Sequence, residues 1–258
     1  MEINAMRAAL LARYDTSGRA LPWRVRPQER AAGTIADVYA VWLSEIMCQQ
    51  TTTIHAAPYW HKFLEAFPTV THMANAPRDD VLTLWAGLGY YARARNLHKC
   101  AQIVARDYGG VFPASEAGLL TLPGIGAYSA AAIAAICYNE PTNVVDANVE
   151  RVIARIFAVE TPLPTARKNI RALAATLADP GRPGDYAQAL MDHGSQICKP
   201  RNPLCTDCVW AAPCKARALG EPQSYPRKTK KPKLKTRYGA AFVLRRADEV
   251  LLSRRPDT

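Results

Sequence analysis

Apolar and polar positions fall into helical order over most of this chain. Val38, Val41, Trp42 and Ile46 recur at three- and four-residue steps and mark one stripe; Val149, Val152, Ile153 and Ile156 mark another. Leu82, Leu84 and Trp85 belong to a shorter helix that Gly87 should end. The opening MEINAMRAALLARYD reads as the start of an amphipathic helix, because no cleavage site follows a long apolar run. From Ile3 to Ile197 alanine is abundant and Pro, Gly and Asp supply the punctuation, so the region should be almost all helix, without a tandem repeat. A strand pattern comes only after Tyr238: Ala240–Leu244 and Val250–Ser253 flank a turn at Ala247 and Asp248. A lone two-stranded hairpin is marginal in water, so this stretch reads as the start of a second domain cut short at Thr258.

Composition sharpens the picture. The 258 residues allow two small domains or one bilobed one, and 49% apolar residues allow a sizeable core. Lys and Arg total 33 against 22 Asp and Glu, a formal charge of +11. That balance favours a polyanionic partner, although a merely soluble basic protein would share it. No apolar run is long enough for a transmembrane helix. The expected organisation is a helical domain over residues 1–220, a basic linker over 221–237 and a truncated β-containing segment over 238–258. The linker carries three prolines and seven Lys or Arg from Arg227 onward, and should be solvated and extended.

Seven cysteines are present. Cys48, Cys100 and Cys137 sit inside apolar helical patterns and read as small core residues. Cys198, Cys205, Cys208 and Cys214 form a C-x6-C-x2-C-x5-C ladder that can satisfy one metal centre. Ligand count divides evenly between a structural zinc and a [4Fe–4S] cluster; the spacing is not the two-plus-two of a zinc ribbon, which tips the reading to iron–sulfur. This is reduced-thiol, cytoplasmic usage.

Three further places carry chemistry. In LPGIGAYSA, Gly124 and Gly126 should let a turn take positive φ and expose backbone amides at the start of an Ala-rich helix, a site for a DNA phosphate; an ordinary helix–helix turn is the alternative. Asp146 in NVVDANVERV stands at a helix N-cap, either as a plain cap or as a carboxylate held beside a developing cation. Glu45 lies seven after Val38 and three after Trp42, on the apolar face of its stripe. There it is a buried acid with a raised pKa, or an edge residue paired with an arginine such as Arg24. Two carboxylates in opposite environments are what glycosidic bond cleavage needs, and in a DNA-binding protein that bond is N-glycosidic.

LPWR (Leu21–Arg24), VWLSEIMCQQT (Val41–Thr51), GLGYYARARNLH (Gly87–His98), LPGIG (Leu122–Gly126), VDANV (Val145–Val149) and the cysteine ladder together resemble the MutY-type adenine DNA glycosylases of the helix-hairpin-helix superfamily. The resemblance covers residues 6–258. It implies an all-α, two-lobed glycosylase fold with a helix-hairpin-helix at 122–130 and an iron–sulfur loop at 198–214, followed by the start of a Nudix-like domain. It implies a monomeric, cytoplasmic enzyme (nucleoid-associated in a bacterium) that excises adenine opposite 8-oxoguanine or guanine in double-stranded DNA. Glu45 matches the proton donor to the purine N7 and Asp146 the carboxylate that stabilises the sugar cation or traps it. Tyr128 and Asn148 match assisting positions. Gln49 and Tyr90 match residues that push into the base stack, and Gln50, Leu122, Gly124, Ile125 and Gly126 match other DNA-contacting positions. Trp23, Arg24, Cys48 and Gln188 match the base pocket. The four cysteines match ligands of a [4Fe–4S] cluster with no role in bond cleavage.

Three positions depart from the family pattern, which usually has Leu at Cys48, Gly at Ala147 and Leu at His193. Cys48 should loosen the pocket, Ala147 should be strained if its φ is positive, and His193 receives no role. Rival readings are an endonuclease III-like glycosylase with lyase activity, a non-catalytic DNA-binding scaffold and a Nudix hydrolase. The first needs a lysine two residues after Gly126, where Tyr128 stands; the second has no use for Glu45 and Asp146; the third lacks its metal-binding carboxylate helix.

Overall fold

In a computed structural model the described residues are 2–229, 236 and 238–252. They carry thirteen α-helices: α1 (Ile3–Ser17), α2 (Pro27–Ala31), α3 (Val38–Met47), α4 (Thr53–Ala66), α5 (Val70–Asn75), α6 (Arg78–Leu84), α7 (Ala92–Asp107), α8 (Glu116–Leu119), α9 (Ala127–Tyr138), α10 (Ala147–Phe157), α11 (Arg167–Leu177), α12 (Pro183–Asp192) and α13 (Lys215–Ala218). A π-helical turn, His193–Ile197, continues α12.

The helices enclose two apolar cores. The first is built from α3 to α9, with Trp42, Phe63, Met73, Trp85 and Leu97 buried at its centre. The second gathers α10 to α13 and takes α1 back from the other end of the chain, through Met6, Leu10, Leu11 and Tyr14. Both expected stripes are therefore core faces, Val41, Trp42 and Ile46 in one lobe and Val149, Val152, Ile153 and Ile156 in the other. The short third helix ends at Leu84, and Gly87 follows with φ 105°, a left-handed turn of the kind expected of it.

Two expectations are corrected. The segment read as a solvated linker starts as part of the helical body: Tyr225 is buried in the second core, and the Leu163 amide donates to the Arg227 carbonyl. An aromatic ring and a ladder bond anchor what charge alone suggested was free, and the compact unit runs through Lys228. In the unit from Thr229 onward, the strands are shorter than expected and displaced: Ala240–Leu244 carries no strand, and of the expected second strand only Val250 is one among the described residues. Arg245–Arg246 pairs antiparallel with Glu249–Val250 around the turn at Ala247 and Asp248. Every residue of this pair is exposed, so no packed face extends the ladder. Ser253 lies outside the described residues.

Candidate active site

A cavity of about 490 Å³ is lined by residues from both lobes: Trp23, Arg24, Glu45, Cys48, Gln49, Gln50, Tyr128, Asp146, Asn148 and Gln188 are all on its wall. Sequence positions more than a hundred residues apart are thus brought to one place. Tyr90 and the LPGIG hairpin do not line it.

Glu45 reaches the cavity from the third turn of α3, a helix whose other faces are almost wholly buried. Burial pushes its carboxyl up to about 7, against a lowering by hydrogen bonding from Tyr128 and by the charge of Arg24; Asp146 adds a smaller push upward. Arg24 is not its ion-pair partner. Its guanidinium is taken bidentately by Asp192, at 2.7 and 3.0 Å, with both side chains only 7% exposed. The Arg19 amide also donates to Asp192. Glu45 is therefore left near a fixed positive charge but unpaired with it.

Asp146 is the N-cap of α10. One carboxylate oxygen accepts from the Val149 amide at 2.7 Å and the other from Asn148 Nδ2 at 2.8 Å. Asn148 is held in turn by Arg151, which donates to its Oδ1 at 3.0 Å, to Gly194 O at 2.7 Å and to Cys198 O at 2.8 Å. Gly194 permits this approach, since a Cβ there would come within 2.8 Å of the Asn148 Cβ. Ala147 opens α10 and is absent from the positive-φ residues, so the expected strain does not arise. Cys48, the C-cap of α3, faces the cavity as a neutral thiol, because burial pushes it up to about 12.

Beside the cavity, the Gln49 amide donates to Ser129 Oγ on α9, whereas Gln50 is exposed at φ 59°. Tyr90 is 66% exposed at φ 47°. The exposed pair is thus Gln50 and Tyr90, rather than Gln49 and Tyr90. In the hairpin, Gly124 takes φ +81° and a Cβ would strike the Asn96 Cβ at 2.9 Å. Gly126 does not share that conformation; it is extended, at φ −90°, and caps α9 without a side chain, which leaves the first-turn amides to solvent or an anion. Leu122 and Ile125 are buried core residues, so any contact they make with DNA is through backbone.

All seven cysteines are free thiols. Cys198, Cys205, Cys208 and Cys214 line a second, mainly apolar cavity with Val152, Ile156 and Ile197. Among the described residues, no three ligating side chains converge as a single-ion site. The buried Arg155 binds the surrounding loop by donating to the carbonyls of Cys198, Lys199, Pro200 and Tyr225 and to Cys198 Sγ at 3.2 Å. His193, to which the sequence assigned nothing, is buried against Trp210 with Nε2 3.4 Å from Cys208 Sγ. Arg93, Arg151, Arg155 and Asp192 all escaped the sequence reading; Arg151 and Arg155 stand off the Val149–Ile156 stripe, on the charged side of α10, where nothing local marks them.

These features meet in known proteins. The profile of the HhH-GPD superfamily base excision DNA repair proteins matches residues 43–179. The adenine DNA glycosylase of Mycolicibacterium smegmatis is 38% identical over 213 residues, covering 83% of this chain and 70% of that protein. The chain belongs to the MutY-type adenine DNA glycosylases. The human adenine DNA glycosylase is 41% identical over 219 residues, and the match spans 84% of this chain but only 40% of that protein. Among solved structures, a thermostable thymine-DNA glycosylase aligns with a TM-score of 0.74 and 29% identity, over 84% of this chain and 97% of that one. Endonuclease III in a non-covalent DNA complex aligns at 0.67 and 18% identity, over 86% of this chain and all of that one, a likeness of fold. The helical two-lobed body is thus the HhH-GPD fold. No helix among the described residues is long and apolar enough to cross a membrane.

Proposed function

We propose that this chain removes adenine mispaired with 8-oxoguanine or guanine in duplex DNA by hydrolysing its N-glycosidic bond. The observation that carries the reading is one cavity holding two carboxylates of different character: Glu45, raised to about 7, and Asp146, held by a helix amide and by Asn148. Near neutral pH a large fraction of Glu45 keeps its proton, which it delivers to N7 of the flipped purine. Electron demand at the sugar rises as the base leaves, and the Asp146 carboxylate stabilises the oxocarbenium-like centre or traps it covalently before water completes hydrolysis. Tyr128 shares the cavity wall with the acid and lowers its pKa, its hydroxyl donating to Met191 Sδ at 3.4 Å, and Asn148 orients the Asp146 carboxylate. Trp23, Arg24, Cys48 and Gln188 wall the base pocket. The uncapped α9 terminus and a charge of +11 supply sequence-independent grip on phosphate. Gln50 and Tyr90 enter the stack around the mispair.

The donor set at Cys198, Cys205, Cys208 and Cys214 fits a [4Fe–4S] cluster: four free thiols share one apolar cavity, and Arg155 donates to a sulfur. The cluster would shape the loop it closes and take no part in bond cleavage.

No lysine lines the cavity, and Tyr128 occupies the position a Schiff-base lysine would need, which favours a monofunctional hydrolase over the endonuclease III-like alternative. The test is single-turnover incubation with duplexes carrying A opposite 8-oxoguanine, G or T, with the freed base identified and strand scission followed. Free adenine from the first two without scission is expected. Release of thymine, or cleavage through a borohydride-trapped enzyme–DNA adduct, would overturn the reading.

A further inference from the structure

The guanidinium of Arg93, in the first turn of α7, lies between the C-terminal end of α3 and the loop before α7. Its Nη1 donates to Ile46 O at 3.0 Å, to Met47 O at 3.1 Å and to Gln49 O. Its Nη2 donates to Leu88 O at 3.0 Å and Gly89 O at 3.3 Å. The same group lies 5.1 Å from the Trp85 ring centre and 5.6 Å from that of Tyr90. One side chain thus collects five carbonyls from two loops far apart in sequence. Those at α3 belong to the helix end, where carbonyls lack intrahelical partners and the dipole favours a cation.

These two loops are the ones that project Gln50 and Tyr90. Both residues take left-handed backbone, at φ 59° and 47°, and neither is glycine, so their surroundings must hold them there. We propose that Arg93 is a positioning residue that fastens the two loops into one stiff wedge, so that Gln50 and Tyr90 meet DNA at a preset separation. The inference rests on the glycosylase reading above. Prying a base pair apart requires a probe that does not itself yield, and a preordered wedge loses less freedom on binding. Arg93 therefore acts on base extrusion, upstream of bond cleavage. Glu45 sits one position before Ile46, but Arg93 is not among the charges that shift it, so the chemical step keeps its pH dependence. Lysine cannot replace it, because a point ammonium reaches one group of carbonyls or the other, whereas the planar fork reaches both.

The test compares wild type, Arg93→Lys and Arg93→Met under single-turnover, saturating conditions on two substrates. One is a fully stacked duplex with A opposite 8-oxoguanine; the other holds the same adenine in a small unpaired bubble, where extrusion is already accomplished. Both variants are expected to lose about tenfold or more on the duplex, the factor that goes with losing a charge-assisted hydrogen bond, and to stay within about threefold of wild type on the bubble. A 2-aminopurine beside the adenine should brighten less on binding, and the pH midpoint of base release should not move. Equal losses on both substrates would mark a general folding defect and overturn the proposal, as would wild-type behaviour on both or a displaced pH midpoint. If wild type itself released no adenine from either substrate, the glycosylase reading would fall, while the fluorescence comparison would still judge the wedge.

Discussion

Replacing Glu45 with Gln should make the protein more stable, and increasingly so as pH rises. The carboxyl has an ordinary value of 4.5 and is raised to about 7 in the fold, chiefly by burial. Between those values the unfolded chain gives up the proton and the folded one keeps it, so the unfolded state binds fewer protons and stability falls with increasing pH. The contribution is whole below about 4.5, declines through the interval and is fully lost above about 7. The complete shift corresponds to about 3 kcal/mol. Because the carboxyl opens on a cavity that water can enter, roughly 1–3 kcal/mol is the realistic span. Gln is nearly isosteric and never ionises, so it removes the alkaline penalty and little else. Urea unfolding of wild type and Glu45→Gln at pH 5 and pH 8.5 reads this directly. The variant should exceed wild type by no more than about 1 kcal/mol at pH 5, where only the start of the loss is felt, and by roughly the full 1–3 kcal/mol at pH 8.5. A difference that stays flat across the range, or reverses sign, would show that Glu45 is not an acid under strain of burial.

Asp146→Asn should keep the α10 cap, since Asn caps about as well as Asp, and leave the melting temperature nearly unchanged, while single-turnover base release falls by ~10²–10³ with loss of the charge facing the sugar. Cys205→Ser should lower cluster content, read as charge-transfer absorbance and iron per protein, and weaken DNA binding in parallel; a colourless wild type with one zinc would contradict the cluster. His193→Leu removes the hydrogen bond to Cys208 Sγ, so voltammetry should show a lower cluster reduction potential, whereas an unchanged potential would leave His193 as packing alone.

How far the chain could be read in advance depends on the range of the interaction concerned. Glu45 announced itself because a charge on the Val38–Ile46 stripe breaks a local pattern, and Asp146 because a capping residue precedes the Val149–Ile156 stripe. The cysteine ladder is likewise local. What periodicity could not supply is pairing across the fold. Asp192, rather than Glu45, takes Arg24 from 168 positions away, and that choice decides whether the acid is neutralised by a partner or left raised. Arg93 and Arg155 each bind several carbonyls, and backbone acceptors leave no trace in sequence. Gly126 was assigned a positive φ that only Gly124 has, because composition marks a turn without saying which residue bends. The basic run after Glu221 hid Tyr225, a single aromatic that docks the segment onto the second core.

The central claim is that Glu45 delivers the proton that frees adenine. It is tested most directly by the pH dependence of single-turnover adenine release from an A opposite 8-oxoguanine duplex, measured for wild type and Glu45→Gln. Wild type should slow as pH rises through about 7, where the protonated acid is exhausted, and the variant should be slower by at least ~10² near neutrality while still binding the mispair. A wild-type rate that is flat or rising across that range, or a variant within about tenfold of wild type, would remove Glu45 from the reaction.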